Sequence, residues 1–228
     1  MTPHTVHRGG SCVLAAALLT GCTHQAPTEA MPAAPANVQD AQTHLEDPVL
    51  DRARAAAMAF SSQLRARLQS AMADGGPIAA VAVCHSEAPS IAATVMAEHG
   101  VLLGRIALPG RNRNPAQSAG GWQLAMLVAF QQAVDNSAAG GELVSVARDD
   151  LPEGIALRMM RGIITEPGCL ACHGSELSPD VQDAIAQHYP DDGATGFSVG
   201  DLRGALWVEV PASPSDAAGG LRDGAMTR

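Results

Sequence analysis

Residues 166–177 read "EPGCLACHGSEL", and the order C-x-x-C-H of Cys169, Cys172 and His173 within them decides what the rest of the chain has to build. Two thiols two residues apart, followed directly by an imidazole, match the arrangement that traps both vinyl groups of a haem as thioethers and sets a histidine on its iron. The bare cysteine pair also suits zinc or a redox dithiol. Zinc asks for a second Cys or His pair at comparable spacing, and the sequence offers none. A thioredoxin-like dithiol sits near a βαβ unit, which the flanking sequence does not spell. The motif therefore predicts haem c, with Cys169, Cys172 and His173 as the residues that hold it.

Outward from the motif, the chain reads as sheet on both sides. "LVSVAR" (143–148), "GIALRMMRGIIT" (154–165) and "GALWVEVPA" (204–212) are short runs with alternating or β-branched character, bounded by Gly, Pro and Asp. Between the last two lies "SPDVQDAIAQHYP" (178–190), a helix with Pro179 in its first turn. The earlier part is mainly helical. Asp47-Pro48 forms a cap and a first-turn proline, and Ala53, Ala57, Phe60, Leu64, Leu68 and Met72 recur at helical spacing. Gly75-Gly76-Pro77 ends that helix, and "IAAVAVCH" (78–85) follows as a short apolar segment on which Cys84 and His85 alternate. A second helix runs from Ser86 to Gly100, "VLLGRIAL" (101–108) is a strand, and Trp122 to about Val134 is a third helix with Leu124, Leu127, Val128 and Phe130 inward. Helices first, then an antiparallel sheet interrupted by the cofactor segment, is an α+β order.

The composition bounds the rest. The 228 residues suffice for one domain with appendages. Aromatic residues are only 3%, so the core is built from Leu, Val, Ile, Ala and Met, with room for a flat cofactor. The net charge is −9, and all 14 basic residues are arginine. An acidic chain without a basic run has no means of neutralising phosphates, which excludes nucleic acid as a partner.

Residues 1–21 have the form of an export signal: a weakly positive start, an apolar run from Cys12 to Leu19 too short to span a bilayer, and Leu19-Thr20-Gly21 before Cys22. These last four residues resemble a bacterial lipobox, so Cys22 is expected to carry lipid and the protein to sit on the periplasmic face of a membrane, held by that anchor alone. Residues 22–46, rich in Ala, Pro and Thr, read as a flexible tether. The domain is expected over 47–213, with 214–228 as a disordered tail.

With Cys12, Cys22, Cys169 and Cys172 assigned, Cys84 remains. An unpaired cysteine in an exported protein stands out, although a free cysteine is also among the most buried of residues. As a second axial ligand it competes with Met96, Met126, Met159, Met160, His85, His99 and His188. Spacing alone leaves that choice open.

Four blocks carry a family resemblance: "AMADGGPIAAVAVCHSEAPSIA" (71–92), "GRIALPGRNRNPAQ" (104–117), "GCLACHG" (168–174) and "YPDDGATGFSVGDLRGALWVEV" (189–210). In this order, over about Ala53 to Val210, the chain resembles a bacterial c-type haem family long labelled a domain of unknown function. Its members stand alone or form the sensing part of larger receptors. The resemblance implies a PAS-like fold with one covalent haem, His173 and Cys84 as axial ligands, and Arg111 and Tyr189 around the haem. Fixing loops by hydrogen bonds is the plainer role for the last two. The loop "RNRNPAQ" is more basic than the family's, and "GGWQLA" lacks the acidic residue expected beside the tryptophan.

Thiolate ligation favours ferric iron, so a His/Cys pair predicts a low reduction potential. That suits a monohaem electron carrier working with a separate redox partner protein. The alternative is a redox or gas sensor, in which CO or NO exchanges the Cys84 ligand and a separate protein receives the signal. A peroxidase-like enzyme needs an open iron position and an acid/base group, and two protein ligands argue against it. The expectation is no enzymatic activity.

Overall fold

The computed structural model describes residues 47–136 and 143–212. The stretches expected to be a signal, a tether with Cys22 and a tail lie outside the described residues.

The long helix α1 (Pro48–Ser86) is followed by α2 (Ala88–His99), strand β1 (Leu102–Ile106), α3 (Gly121–Asp135), β2 (Val144–Ala147) and β3 (Ile155–Ile164). A 3₁₀ turn (Pro167–Cys169), the single-turn helix α4 (Leu170–His173), α5 (Pro179–His188) and β4 (Leu202–Pro211) complete the order. The four strands form one antiparallel sheet in the order β1-β4-β3-β2. The α+β class and the antiparallel sheet behind N-terminal helices are as expected.

Period-two alternation sends the central strands' side chains to two faces. On one face Leu157, Met159, Leu206, Val208 and Val210 pack with Leu103 against Ala53, Ala57, Phe60 and Leu64 of α1 and Val95 of α2. On the other, Met160, Leu202, Ala205 and Ile106 meet Leu127 and Phe130 of α3. The adjacent Met159 and Met160 thus serve the two halves of the core, both buried.

Three expectations are corrected. "IAAVAVCH" is helical: after Gly76 (φ 65°, ψ −158°) the chain resumes as helix with Pro77 in its first turn. Gly76 supplies the one non-helical residue, and the alanines that follow favour helix. The apolar stripe also leaves the core before Met72, which is 41% exposed while Ala71 is buried. Steps of four residues overrun a 3.6-residue turn by about 40° each, so a stripe at strict spacing of four drifts off its face. For the same reason Val128 is exposed while Leu127 and Phe130 face inward.

The kink separates α1 into a part that covers the sheet and a part, Pro77–Ser86, that reaches the C-x-x-C-H segment. There Val81 packs with Val181, Ile185 and Tyr189 of the α5 region and with Cys172. Arg67 holds Glu87 by two hydrogen bonds of 2.6 and 2.7 Å, bracing the junction of α1 and α2.

Candidate functional site

The site gathers at one end of the sheet, where β3 leaves, β4 enters and β1 stops. Beyond β3, Glu166 opens the 3₁₀ turn that carries Cys169, and α4 places Cys172 and His173 one after the other. Cys84, Cys169 and Cys172 are all free thiols and half-buried.

Backbone bonds seat His173: its carbonyl accepts from Phe197 N at 2.9 Å, and the carbonyl of Gly174 accepts from Gly196 N at 3.0 Å. The ring Nδ1 lies 2.7 Å from the carbonyl oxygen of Ala194, and Nε2 lies 3.0 Å from Nη1 of Arg203. A carbonyl only accepts and a guanidinium only donates, so Nδ1 carries the proton and Nε2 the lone pair. Burial first, then the charges of Arg203 and Arg113, push the pKa of His173 down to about 2. The ring is a neutral imidazole, the form in which histidine binds a metal.

Cys84 lies in the last turn of α1. Electrostatically it is a neighbour of Cys172, Tyr189 and Arg203, since a charge on it would act on all three. The thiol of Cys172 is pushed up by burial and pulled back by Arg113. Tyr189 caps α5 and is buried; burial, then the nearby Cys84, raises its pKa to about 12. Its ring stands edge-on to His85 at 5.4 Å. Arg111 donates from Nη1 to the carbonyl of Thr195 at 3.1 Å and lies over the ring of Phe197 at 3.9 Å. It therefore fixes a loop, as the plainer role had it, and it also lines both clefts described next.

One cleft, of about 210 Å³, is bordered by Leu108, Arg111, Phe197, Asp201 and Arg203. A smaller one of about 40 Å³ is bordered by Arg105, Arg113, His173, Ala194 and Arg203. Arg111, Arg203 and Gly204 belong to both.

Three residues that sequence reasoning did not single out complete the site. Arg113 makes a buried ion pair with Asp192 at 3.1 Å, with the two side chains 8% and 9% exposed. From Nη2 it also donates to the carbonyl of Cys172 at 2.6 Å. Through Arg113 the basic loop thus holds the C-x-x-C-H segment in place. Asp192 additionally accepts from the N–H of Ala194 at 3.0 Å, which presents the Ala194 carbonyl to His173. The third is Arg203. The "RNRN" and "YPDD" blocks already contained the partners, but an ion pair between residues 79 positions apart leaves no local pattern.

A family model described as Tll0287-like matches residues 36–211. The chain belongs to the Tll0287-like family. Its matched region contains Cys84, Arg111, the C-x-x-C-H motif and Tyr189, together with Arg113, Asp192 and Arg203. A solved structure, that of the cyanobacterial heme-protein Tll0287, is similar at 26% identity over 69% of this chain and 93% of that one, with a TM-score of 0.49. No curated protein matches the chain.

The donor set of this Tll0287-like chain fits an iron porphyrin bearing two vinyl and two carboxylate groups. It brings together two free thiols at the required spacing, a neutral imidazole whose lone pair is on Nε2, a third thiol on the facing helix, and four arginines around the clefts.

Proposed function

We propose that this chain is an exported, monohaem c-type protein of low reduction potential that transfers electrons. The observation that carries the reading is the tautomer of His173: the Ala194 carbonyl holds the Nδ1 proton and leaves Nε2 as a donor, beside two free thiols in C-x-x-C-H order. In a metal-binding histidine the second ring nitrogen characteristically donates to such a carbonyl, which fixes the ring and raises its basicity.

In this reading Cys169 and Cys172 would hold the haem as thioethers, and His173 and Cys84 would ligate its iron. Bound haem supplies a one-electron iron couple. The Cys84 thiolate favours the ferric form and so a potential below that of a His/Met pair. Arg111 and Tyr189 border the bound group. Cys22 carries the lipid that holds the domain on the periplasmic face of a membrane, where a separate protein exchanges electrons with it.

One observation favours a second reading, that of a redox or gas sensor. Cys84 rides on Pro77–Ser86, a segment set apart by the non-helical Gly76. Exchange of Cys84 for CO or NO would release that segment while the rest of α1 stays on the sheet.

The test is the pyridine haemochrome spectrum and intact mass of the exported protein after acid–acetone extraction. Wild type is expected to retain one haem, and the Cys169→Ala, Cys172→Ala double variant none. An exported wild type that carries no haem, or loses it to acid–acetone, overturns the covalent reading.

A further inference from the structure

Arg203 occupies an irregular point of the sheet. Gly204 is level with Ile163 and Leu202 with Ile164, so the register slips at Arg203, which has no partner on β3. A bulge of this kind re-aims the side chain at the extra residue. The carbonyl of Ile106 would come within 2.2 Å of a Cβ at Gly204, so the glycine lets β1 close against the bulge and brings Arg105 alongside.

The guanidinium so placed has more hydrogen-bonding capacity than its surroundings use. Its Nη1 donates to Nε2 of His173 at 3.0 Å, while its Nε is shielded from solvent and has no acceptor. Burial, then the charge of Arg105, lowers its pKa to about 10. Among the described residues, neither Arg105 nor Arg203 forms an ion pair with a carboxylate. Asp201 borders the larger cleft with Arg203 but not the smaller one that Arg105 lines, and its carboxylate already accepts from the N–H of Ser198 at 2.7 Å. Two like charges, one of them carrying the buried orphan donor, amount to a site for an anion with two acceptor oxygens.

The bond to Nε2 adds a geometric condition. The lone pair that accepts from Arg203 is the one an iron would need, so the two cannot hold His173 together. Arg203 also belongs to both clefts, and turning it away from His173 removes a wall they share.

We propose that Arg203 is an exchange arm: it holds Nε2 of His173 until a haem carboxylate enters the cleft, then transfers to that carboxylate, which Arg105 helps to hold. The exchange gives Arg203 an ionic acceptor in place of a neutral one and frees Nε2 in the same movement. No covalent bond changes. Arg203 is thus a positioning residue that couples carboxylate recognition to the availability of the ligand. The inference rests on the haem reading above.

The test uses the full-length chain produced without haem attachment, titrated with haemin and with haemin dimethyl ester, whose two carboxylates are masked. Soret absorbance reports binding. Wild type is expected to prefer haemin by about tenfold or more, the scale of charge-assisted hydrogen bonds. The preference falls towards one in Arg203→Gln and returns in Arg203→Lys; Arg105→Gln reduces it in part. Equal binding of the two porphyrins by wild type overturns the proposal without recourse to any variant. A preference unchanged in Arg203→Gln, or equal weakening for both porphyrins, assigns Arg203 a structural role and also overturns it. The haemochrome of the exported wild type separates the two failures. If that protein carries haem while the titration shows no binding, the exchange arm is wrong and the haem reading stands; if it carries none, both fall.

Discussion

Replacing Asp192 by alanine tests whether the ion pair with Arg113 is what holds the C-x-x-C-H segment. Both side chains are less than a tenth exposed, and the contact is 3.1 Å. Breaking a buried pair from one side leaves an uncompensated charge and costs about 3–5 kcal/mol. Arg113 would keep the Cys172 carbonyl at 2.6 Å as an acceptor, which places the loss near the lower end, about 3 kcal/mol. The N–H of Ala194 also loses its acceptor, so the carbonyl facing His173 is no longer fixed. In urea, with a slope of about 2 kcal/mol per molar, the unfolding midpoint should fall by about 1.5 M at unchanged slope. Adding Arg113→Met removes the stranded charge, so the double variant should recover part of the loss. Circular dichroism at several urea concentrations measures both. A loss under about 1 kcal/mol, or a double variant no more stable than Asp192→Ala, would refute the reasoning.

Further outcomes follow from the kink, the bulge and the helix junction. Gly76→Ala forces a side chain into a backbone region used almost only by glycine, so a loss of about 1–3 kcal/mol is expected in thermal unfolding; an unchanged midpoint would mean that the kink relaxes freely. Gly204→Ala meets the Ile106 carbonyl and should destabilise the fold by more than Gly168→Ala, where nothing lies within 4 Å; equal stabilities would contradict the close approach of β1 to β4. The hydrogen bonds and charge of Arg67 hold Glu87 below its ordinary carboxylate pKa. A depressed folded-state pKa stabilises above the unfolded value and is lost as pH falls through the folded one. The stability difference between wild type and Glu87→Gln should therefore be present at neutral pH, vanish in acid, and shrink with added salt because the pair is exposed. A difference that grows on acidification would show the sign to be wrong.

The elements with strong local patterns were legible in the sequence. Adjacent apolar residues such as Met159 and Met160 serve opposite faces of β3, as a doubly covered strand requires. The capped start at Asp47-Pro48 is present, with the Asp47 carboxylate accepting from the Leu50 N–H at 3.0 Å. "IAAVAVCH" reads only as an apolar segment after a helix end, because alternating Ala and Val fit a strand and a helix equally over eight residues, and only packing on α5 and Cys172 separates them. In the site, Cys169, Cys172 and His173 form a motif and were readable as such. Arg113, Asp192 and Arg203 act through contacts spanning 30 to 81 positions, and no local spacing encodes these. Arg111 illustrates the other limit: its position was identified, but its hold on Thr195 and Phe197 emerges only once the loop after β1 and the 192–197 segment lie side by side, where the Gly193 N–H donates to the Asn112 carbonyl at 3.0 Å.

The most direct test of the account is the low-temperature EPR spectrum of the purified ferric protein, wild type beside Cys84→Ala. The account predicts a low-spin, thiolate-ligated signal in wild type that disappears in the variant, with the reduction potential rising. The same low-spin signal in both proteins would contradict it: Cys84 would then be a buried side chain, and another residue would hold the iron opposite His173.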